Sequence, residues 1–380
     1  MMTRQYDVAI AGAGILGLAH AYHLARRGLR VIVCESQARA QGASVRNFGM
    51  LWPIGQPLGP LYQLARRSLD IWLDVLQAAG LWHDRAGSLH LAYHDDEAQV
   101  LREFAALASA THECRLLDPA LISERFPAVV TNGLRLGLFS PVEVTVDPRE
   151  VVARLPDWLN RTHGVDFVFD TPVLGYDRPT VHTAAGAYRA DRLLVCTGAD
   201  FRTLAPDVFA GAGLLLCKLQ MMRSQPFGNT FRAGTMLAAG LTLRHYRAFA
   251  DCPTLSAVNA RLDRDMPEYD RFGIHVLLSQ NGGGELTLGD SHEYGNAIEP
   301  FDKPHIDELI LRYLQSFVHI PNLRIVARWH GIYLKHPSEA FVVTDLRPGM
   351  RVVTGAGGNG MTLSFGLAER TVAQWLGESG

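Results

Sequence analysis

A glycine-rich turn near the N-terminus constrains this chain more than any other feature. The segment Gly12-Ala13-Gly14-Ile15-Leu16-Gly17 follows the apolar run 8–11 and precedes an amphipathic stretch that ends near Arg27. Glu35 closes the next apolar run, about 20 residues further on, where a dinucleotide-binding fingerprint requires an acid. The pattern predicts a strand, a phosphate-binding turn and a helix, which together open a parallel α/β nucleotide-binding sheet.

The three glycines of this turn have separate roles. Gly12 permits the tight turn, Gly14 lets the backbone approach a pyrophosphate, and Gly17 allows the helix to pack closely on the strand. The helix N-terminus, at Ile15 and Leu16, presents oriented N–H groups to the anion. The turn therefore predicts a bound adenine dinucleotide.

The acid indicates which dinucleotide is bound. Glu35, with Ser36 beside it, is placed to accept the hydroxyl groups of the adenosine ribose. A carboxylate at this position also disfavours a 2′-phosphate. The acid therefore disfavours NADP, whereas NAD and FAD remain open at this point.

Composition narrows the class of protein. The 380 residues are 48% hydrophobic and 19% charged, with a formal net charge of -2, so no basic field favours nucleic acid. The longest apolar stretch, 210–222, is interrupted by Lys218 and predicts no transmembrane span. The five cysteines are odd in number and widely spaced, which favours reduced thiols and a cytoplasmic location.

A second glycine-rich turn lies near the C-terminus. The predicted strand 351–354 enters Gly355-Ala356-Gly357-Gly358-Asn359-Gly360, and a helix is predicted over 361–376. Such a turn directs N–H groups and the positive end of a helix at an electron-rich group, and a reduced flavin carries negative charge at its N1 and C2 carbonyl edge. The combination favours FAD over NAD.

Together these signals predict two domains. A discontinuous FAD-binding, Rossmann-like domain is expected from 1–85, 142–212 and 323–380, and it includes the apolar run that stops at Thr197-Gly198. An α+β substrate domain with a mostly antiparallel sheet is expected from 86–141 and 213–322. Helices are predicted at 61–79 and 95–110, and strands of the second domain at 216–223, 242–250, 272–279 and 285–288.

The arrangement resembles the FAD-dependent amino-oxidoreductase family of D-amino-acid oxidase, glycine oxidase and sarcosine oxidase. The resemblance covers essentially the whole chain and rests on the first turn with Glu35, on segment 42–49, on the stop at Cys196-Thr197-Gly198-Ala199 and on 355–366. It implies that Ala43 and Ser44 bind the FAD pyrophosphate and that Asn47, Phe48 and Gly49 lie beside the isoalloxazine ring. The full predicted FAD set is Gly12, Gly14, Ile15, Leu16, Gly17, Glu35, Ser36, Ala43, Ser44, Asn47, Phe48, Gly49, Thr197, Gly198, Gly357, Gly358, Asn359, Gly360, Met361 and Thr362.

The chain departs from the family pattern at the positions that hold a substrate carboxylate. Where glycine oxidase and D-amino-acid oxidase carry an arginine, this chain reads His330-Gly331-Ile332-Tyr333-Leu334-Lys335. Where sarcosine oxidase carries a lysine, this chain has Thr362. Gly331 is the nearest match to the cysteine that tethers flavin in sarcosine oxidase, so the FAD is expected to be noncovalent.

Stretches 43–53 and 329–337 are similar to a narrower branch of the family that is proposed to oxidise aminophosphonates related to 2-aminoethylphosphonate. A phosphonate suits point charges and several donors better than a flat guanidinium fork. The candidate substrate contacts are Arg46, Arg223, Arg244, His245, His330, Tyr333 and Lys335.

The implied reaction is oxidation of a small amine, in which a C–H bond gives its hydride to the flavin. The imine that results hydrolyses to an aldehyde or ketone, and O2 or another acceptor takes the electrons. His245 or His330 is expected to accept the ammonium proton, since histidine titrates near neutral pH. Lys218 either faces the flavin or reaches solvent. No histidine lies at a metal-ligand spacing from Cys or acidic residues, so no metal is predicted.

Three other functions remain open from the sequence. The first turn alone allows an NAD-dependent dehydrogenase, and some relatives of amine oxidoreductases are non-catalytic flavin-binding subunits. Within the enzyme class, an oxidase for glycine, sarcosine or D-amino acids is the alternative to an aminophosphonate enzyme. A small amine is the expected partner in each enzyme reading, and the sequence does not indicate the oligomeric state.

Overall fold

The fold is known from a computed structural model that describes residues 5–200, 203–204 and 206–378. Residues 1–4, 201, 202, 205, 379 and 380 belong to the predicted nucleotide-domain segments and lie outside the described residues. The strands are β1 Gln5–Ala11, β2 Val31–Cys34, β3 Met50–Leu51, β4 His83–Asp84, β5 Ser88–Ala92, β6 Arg115–Leu117, β7 Leu136–Ser140, β8 Val144–Val146, β9 Asp166–Val168, β10 Val173–Asp177, β11 Thr180–Thr183, β12 Gly186–Val195, β13 Leu215–Ser224, β14 Met236–Ala238, β15 Leu277–Gln280, β16 Leu286–Gly289, β17 Glu293–Gly295, β18 Ile325–Lys335, β19 Val342–Arg347 and β20 Met350–Thr354.

The helices occupy most of the remaining chain. They are α1 Ile15–Ala25, α2 Pro60–Ala79, α3 Asp95–Ala108, α4 Pro119–Arg125, α5 Pro148–His163, α6 Pro206–Gly211, α7 Leu241–His245, α8 Leu255–Asp265, α9 Pro267–Arg271, α10 Pro304–Phe317 and α11 Gly360–Leu376. The helices predicted over 61–79, 95–110 and 361–376 are confirmed to within two residues at each end. No helix in the described part of the chain is long and apolar enough to cross a bilayer.

An eight-stranded sheet forms the first layer, with β1 between two parallel neighbours. Ala11 at the end of β1 is in register with Cys34 of β2 and with Val195 of β12. β20 pairs in parallel with the last residues of β12, so Val352 lies beside Val195. The carboxyl ends of four strands from distant parts of the chain therefore meet at one edge, where ligands bind in sheets of this kind.

Helices α1, α2 and α11 pack on one another beside this sheet. The indole N–H of Trp72 donates to the carbonyl of Met361 at 2.9 Å, and the ring of Trp72 packs edge-on against Phe365. A Cβ added to Gly366 would lie 2.6 Å from the carbonyl oxygen of Leu64, so only glycine allows α11 to approach α2 this closely. This packing fixes the N-terminus of α11 at the sheet edge.

A nine-stranded, mostly antiparallel sheet forms the second layer, in the order β17-β13-β16-β15-β14-β5-β7-β6 with β18 also paired to β13. Residues from 323 onward are predicted to belong to the nucleotide domain, but β18 pairs along β13 from Leu215 to Ser224. The reason is that the residues of β13 from 217 to 224 are all buried, so this strand requires partners on both edges. β18 therefore belongs to the second sheet. Its last residue, Lys335, forms a bridge with Ala356, which follows β20 of the first sheet.

The predicted strand 242–250 is wrong. Residues 241–245 form helix α7, and residues 247–249 form a short 3-10 helix. The alternation of Leu241 and Leu243 suits a strand, but tertiary contacts decide otherwise, because the N–H of Leu241 donates to the hydroxyl of Tyr313 at 3.0 Å. This helical turn directs His245 and its neighbours toward the first sheet. A third, small sheet has the strand order β3-β8-β4.

Candidate active site

A cleft with a cavity of about 570 Å³ runs along the carboxyl ends of β1, β2, β12 and β20 and continues between the two large sheets. One end is lined by Glu35, Ser36 and Gln37, and the other by Tyr333, Lys335 and the second glycine-rich turn. Most of the predicted FAD residues line it: Gly12, Gly14, Ile15, Leu16, Glu35, Ser36, Ala43, Ser44, Asn47, Phe48, Thr197, Gly198, Gly357, Gly358, Asn359, Gly360 and Met361.

The first turn has the geometry that the fingerprint predicts. Gly12 adopts a φ of +105°, and a Cβ there would lie 2.5 Å from the carbonyl oxygen of Cys196. A Cβ on Gly17 would lie 2.0 Å from the carbonyl oxygen of Gly12. Gly17 is therefore outside the cleft lining and acts on helix packing alone, as its predicted role requires.

Two side chains organise the N-terminus of α1. The hydroxyl of Ser44 accepts a hydrogen bond from the N–H of Ile15 at 3.0 Å, which brings the loop 42–49 onto the helix end. Glu35 accepts from the N–H of Ala13 at 2.8 Å. A Cβ on Gly14 would meet only the Ser44 hydroxyl, at 3.1 Å, so this backbone is open toward the cleft. These groups fit a pyrophosphate on the helix end.

The loop 42–49 is held by Asn47. Its amide donates to the carbonyls of Ala43 and Ser44, both at 3.0 Å, and its oxygen accepts from the N–H of Gly49 at 2.8 Å. Asn47 therefore shapes the loop and presents only part of its surface to the cleft. The structure corrects the placement of Gly49, which packs against Val146 outside the cleft lining because it has a φ of +70° and would place a Cβ 2.0 Å from the Val146 carbonyl oxygen.

The second turn places glycines opposite β18. A Cβ on Gly357 would meet side-chain atoms of Lys335 and Tyr333 at 3.7 and 3.9 Å, and one on Gly358 would meet the Tyr333 hydroxyl at 3.8 Å. The open space around these glycines fits the edge of a flavin ring. Thr362 is a correction, since its hydroxyl accepts from the N–H of Trp52 at 2.9 Å and it is buried outside the cleft lining.

Four of the candidate substrate residues line the cleft: Arg46, His245, Tyr333 and Lys335. Arg46 donates to the carbonyl of His330 at 3.2 Å. Burial chiefly, together with the positive charge of Arg247, lowers the pKa of Lys335, and burial raises the pKa of Tyr333. Lys335 Nζ and the Tyr333 hydroxyl are both hydrogen-bond donors at this end of the cleft.

The structure places His330 and Lys218 outside the cleft lining. On antiparallel β13 and β18 their side chains meet Asp302, which lies 2.8 Å from His330 Nδ1 and 2.9 Å from Lys218 Nζ. Lys218 also donates to the carbonyl of Glu299 at 3.0 Å. Lys218 therefore neither faces the flavin nor reaches solvent, and His330 is not placed to accept a substrate proton.

Arg223 and Arg244 also lie outside the cleft lining. The guanidinium of Arg223 packs over the ring of Trp329, 5.1 Å from its centroid. Arg244, on α7, forms ion pairs with Asp263 at 3.0 Å and with Asp270 at 3.1 Å. Both arginines have structural partners, so they leave the set of substrate candidates.

Among the cleft residues that the sequence did not predict are Tyr246, Arg247, His275, Asp290 and His292. One signal for them was present, since Gly289-Asp290-Ser291-His292 places an acid and a histidine at the end of a buried strand. The strand predicted at 242–250 would place neighbouring side chains on opposite faces of a sheet. It therefore does not indicate that Tyr246 and Arg247, near α7, both line the cleft.

Three imidazoles cluster at this end of the cleft. The rings of His245 and His275 stack with centroids 3.6 Å apart, and that of His292 lies 4.4 Å from His245. Asp290 is paired with His275 by two backbone hydrogen bonds and by a carboxylate 3.1 Å from His275 Nε2. Burial lowers the pKa of all three histidines, that of His292 to about 4, and raises the pKa of Asp290.

A glycine-rich dinucleotide turn, a second turn at the start of α11 and a cleft between two sheets define a flavin-dependent oxidoreductase. Residues 7–374 match the family described as FAD dependent oxidoreductase, and the chain belongs to that family. FAD is its cofactor and fits the residues described above; when bound, it supplies a hydride acceptor.

The relatives that match over most of the chain include sarcosine and glycine oxidases. The chain is 24% identical over 395 residues to a monomeric sarcosine oxidase from Bacillus sp. (strain NS-129), covering 98% of this chain and 93% of that protein. It is 23% identical to a glycine oxidase from Bacillus licheniformis, covering 87% and 82%. The glycine oxidase structure from Bacillus cereus ATCC 14579 superposes with a TM-score of 0.80 at 18% identity, over 99% of this chain and 96% of that one. The protein is an FAD-dependent amine oxidoreductase of the sarcosine and glycine oxidase type.

Proposed function

We propose that the substrate is an aminophosphonate related to 2-aminoethylphosphonate or its N-methyl form. One observation carries this proposal: Lys335 and Arg247 lie together at the flavin end of the cleft, and neither forms an ion pair with a described carboxylate. Lys335 Nζ donates to the Tyr294 hydroxyl at 3.1 Å, and Arg247 donates to the carbonyl of Ser338 at 3.0 Å. Cations held by neutral partners are available to an anionic substrate group.

The type of cation favours a phosphonate over a carboxylate. Ile332 lies in the cleft lining within the segment where related enzymes carry a carboxylate-binding arginine. Lys335 supplies a compact point charge, and the hydroxyl of Tyr333 is a further donor beside it. A tetrahedral group with three oxygens can use such spread donors, whereas a planar carboxylate is better matched by a bidentate fork.

The reaction follows from where these groups hold the substrate. With its anionic end at Lys335 and Arg247, the amine and its adjacent C–H are directed toward the glycine turn at 357–358 and the ring that it borders. The C–H carbon would give its hydride to the bound FAD and the amine nitrogen would give its proton to water, which leaves an imine. Water then releases an aldehyde or ketone, while O2 or another acceptor reoxidises the cofactor. Positioning supplies much of the rate, as no dedicated nucleophile is needed.

The FAD is proposed to be noncovalent, with the cleft residues holding it through backbone N–H groups and Glu35. Gly331, the position that corresponds to the tethering cysteine of sarcosine oxidase, carries no side chain, and a Cβ there would lie 3.2 Å from Leu219. Denaturation in acid should therefore release all of the flavin into the supernatant.

An anaerobic flavin-reduction screen tests the substrate. Glycine, sarcosine, proline, D-alanine, 2-aminoethylphosphonate and its N-methyl and 1-hydroxy forms are mixed with the FAD-loaded protein, and the loss of absorbance near 450 nm is followed. We expect the phosphonates to reduce the flavin at least about tenfold faster than the carboxylates, because each tenfold preference requires only about 1.4 kcal/mol at the anion site. Reduction by sarcosine or D-alanine but by no phosphonate would contradict the proposal.

Lys335 variants test how the anion is held. Lys335→Met is expected to raise the half-saturating concentration of 2-aminoethylphosphonate by about tenfold, since a charge-assisted contact contributes about 1.5–3 kcal/mol. Lys335→Arg should retain binding and shift the preference toward carboxylates, because it introduces a planar fork. Lys303→Met is the matched control, since Lys303 forms ion pairs with Glu293 and Glu299 outside the cleft lining. An unchanged half-saturating concentration in Lys335→Met would remove this residue from the site.

A further inference from the structure

The three cleft histidines have the placement of a ligand set. His245 ends α7, His275 precedes β15 by two residues, and His292 lies between β16 and β17. One ring nitrogen from each lies within 4.8 Å of those of the other two. The spacing in sequence gave no metal pattern, because the three positions come together only when α7 folds over the second sheet.

The hydrogen bonds of His292 fix which nitrogen is free. Its Nδ1 lies 3.0 Å from the carbonyl oxygen of Gly273, and a carbonyl can only accept, so Nδ1 carries the proton. Nε2 then presents its lone pair toward the cluster, 3.9 Å from Asp290 Oδ2. A histidine that donates one ring N–H to a backbone carbonyl and offers the other nitrogen is the usual form of a metal ligand.

One further polar atom in the cluster lacks a partner. His275 Nδ1 is buried and makes no hydrogen bond, whereas His275 Nε2 lies 3.1 Å from Asp290 Oδ1. A buried polar atom without a partner costs about 1–3 kcal/mol, so such atoms rarely persist unless a ligand or water satisfies them.

We propose that His245, His275 and His292 bind one divalent transition-metal ion of the class that prefers imidazole, with Zn²⁺ as its representative, beside Asp290. Imidazole nitrogen suits Zn²⁺, Fe²⁺, Ni²⁺ and Cu²⁺ better than Mg²⁺ or Ca²⁺. His245 is half-buried at a helix end, so it is the ligand that can turn its ring edge from the stack with His275 toward the ion.

The ion would contribute to substrate binding. Three protein nitrogens leave at least one coordination position open, and the cluster lines the same cleft as Lys335 and Tyr333. An oxygen of the substrate anion can occupy that position, a role that rests on the proposed phosphonate substrate. A His245 nitrogen that binds the ion uses its lone pair and can no longer accept a proton. Metal binding therefore replaces the proton-accepting role predicted for His245.

Equilibrium dialysis with Zn²⁺ tests the site directly. The FAD-loaded protein is first treated with EDTA, then dialysed against Zn²⁺ buffered at a micromolar free concentration, and bound zinc and flavin are measured. We expect one Zn²⁺ per FAD in the wild type and at least a tenfold loss of retained zinc in His275→Ala and in His292→Gln. His305→Ala is the matched control, since His305 is exposed and pairs with Glu268.

Two results would overturn the site: no stoichiometric zinc in the wild type, or equal retention in both cleft variants and the control. FAD content and near-UV circular dichroism show that each variant is folded, and His292→Gln preserves most of the side-chain volume. The substrate proposal is judged by a separate measurement, because flavin reduction by phosphonates is followed with and without EDTA. Reduction that is unaffected by EDTA in a protein shown to hold zinc would overturn the role of the ion in substrate binding.

Discussion

Replacing Gly14 by valine is expected to yield a folded protein that binds FAD about 100-fold more weakly, a loss of about 2.7 kcal/mol. The backbone at Gly14 has φ -66° and ψ 172°, which any residue adopts, so the change adds little strain. A Cβ there meets only the Ser44 hydroxyl, at 3.1 Å, and the two valine methyls extend into the space where the backbone approaches the pyrophosphate. The ratio of absorbance at 450 and 280 nm after gel filtration, and flavin fluorescence titration, measure the effect.

The position of Gly14 separates cofactor binding from folding. Gly17→Val would not do so, because its Cβ would lie 2.0 Å from the Gly12 carbonyl oxygen and the α1 contact with β1 would break. Gly175→Val is the control, since Gly175 lies in β10 of the same sheet and its Cβ would meet only His182, at 4.0 Å. If Gly14→Val bound FAD as tightly as Gly175→Val, the assignment of the α1 N-terminus to the pyrophosphate would be wrong.

The nucleotide half of the site could be predicted because its signals are local. Gly12, Gly14 and Gly17 act within one turn, and the positive φ of Gly12 or the contact of Gly17 can be inferred from residue type alone. The second turn at 355–360 has the same property. Local sequence patterns do not show which residues face the ligand. Gly49 and Thr362 fit the family pattern, but both lie outside the cleft lining, because Gly49 packs against Val146 and Thr362 bonds to Trp52.

The substrate half could not be predicted for a different reason. His245, His275 and His292 are separated by long stretches of chain and meet only through the pairing of β13, β15 and β16 and the position of α7. The charge of a residue also does not show by itself whether the residue is free to bind the substrate. Arg244 and His330 have acidic partners, Asp263 and Asp302, that the sequence does not reveal, whereas Lys335 has none among the described residues.

We expect three buried histidines outside the cleft to contribute together a loss of about 6 kcal/mol in the free energy of unfolding between pH 8 and pH 5, because His20, His23 and His90 are buried in the neutral form. Burial lowers the pKa of His20 to about 4 and those of His23 and His90 to about 3, from the usual 6.5. Between those values the unfolded chain binds protons that the folded chain does not. Stability is therefore fully present above pH 6.5 and decreases as the pH falls toward the folded-state values, by about 2 kcal/mol per histidine at pH 5.

His90→Leu tests the size of one contribution. Both ring nitrogens of His90 are buried without hydrogen-bond partners, between Trp52 and Phe249, so leucine removes two unsatisfied polar atoms. Urea unfolding at saturating FAD should show that this variant loses about 2 kcal/mol less than the wild type between pH 8 and pH 5. His305→Leu should keep the wild-type slope, since that histidine is exposed. If His90→Leu and the wild type lost the same free energy of unfolding between pH 8 and pH 5, His90 would have to be charged in the folded protein at pH 5. That result would contradict its burial.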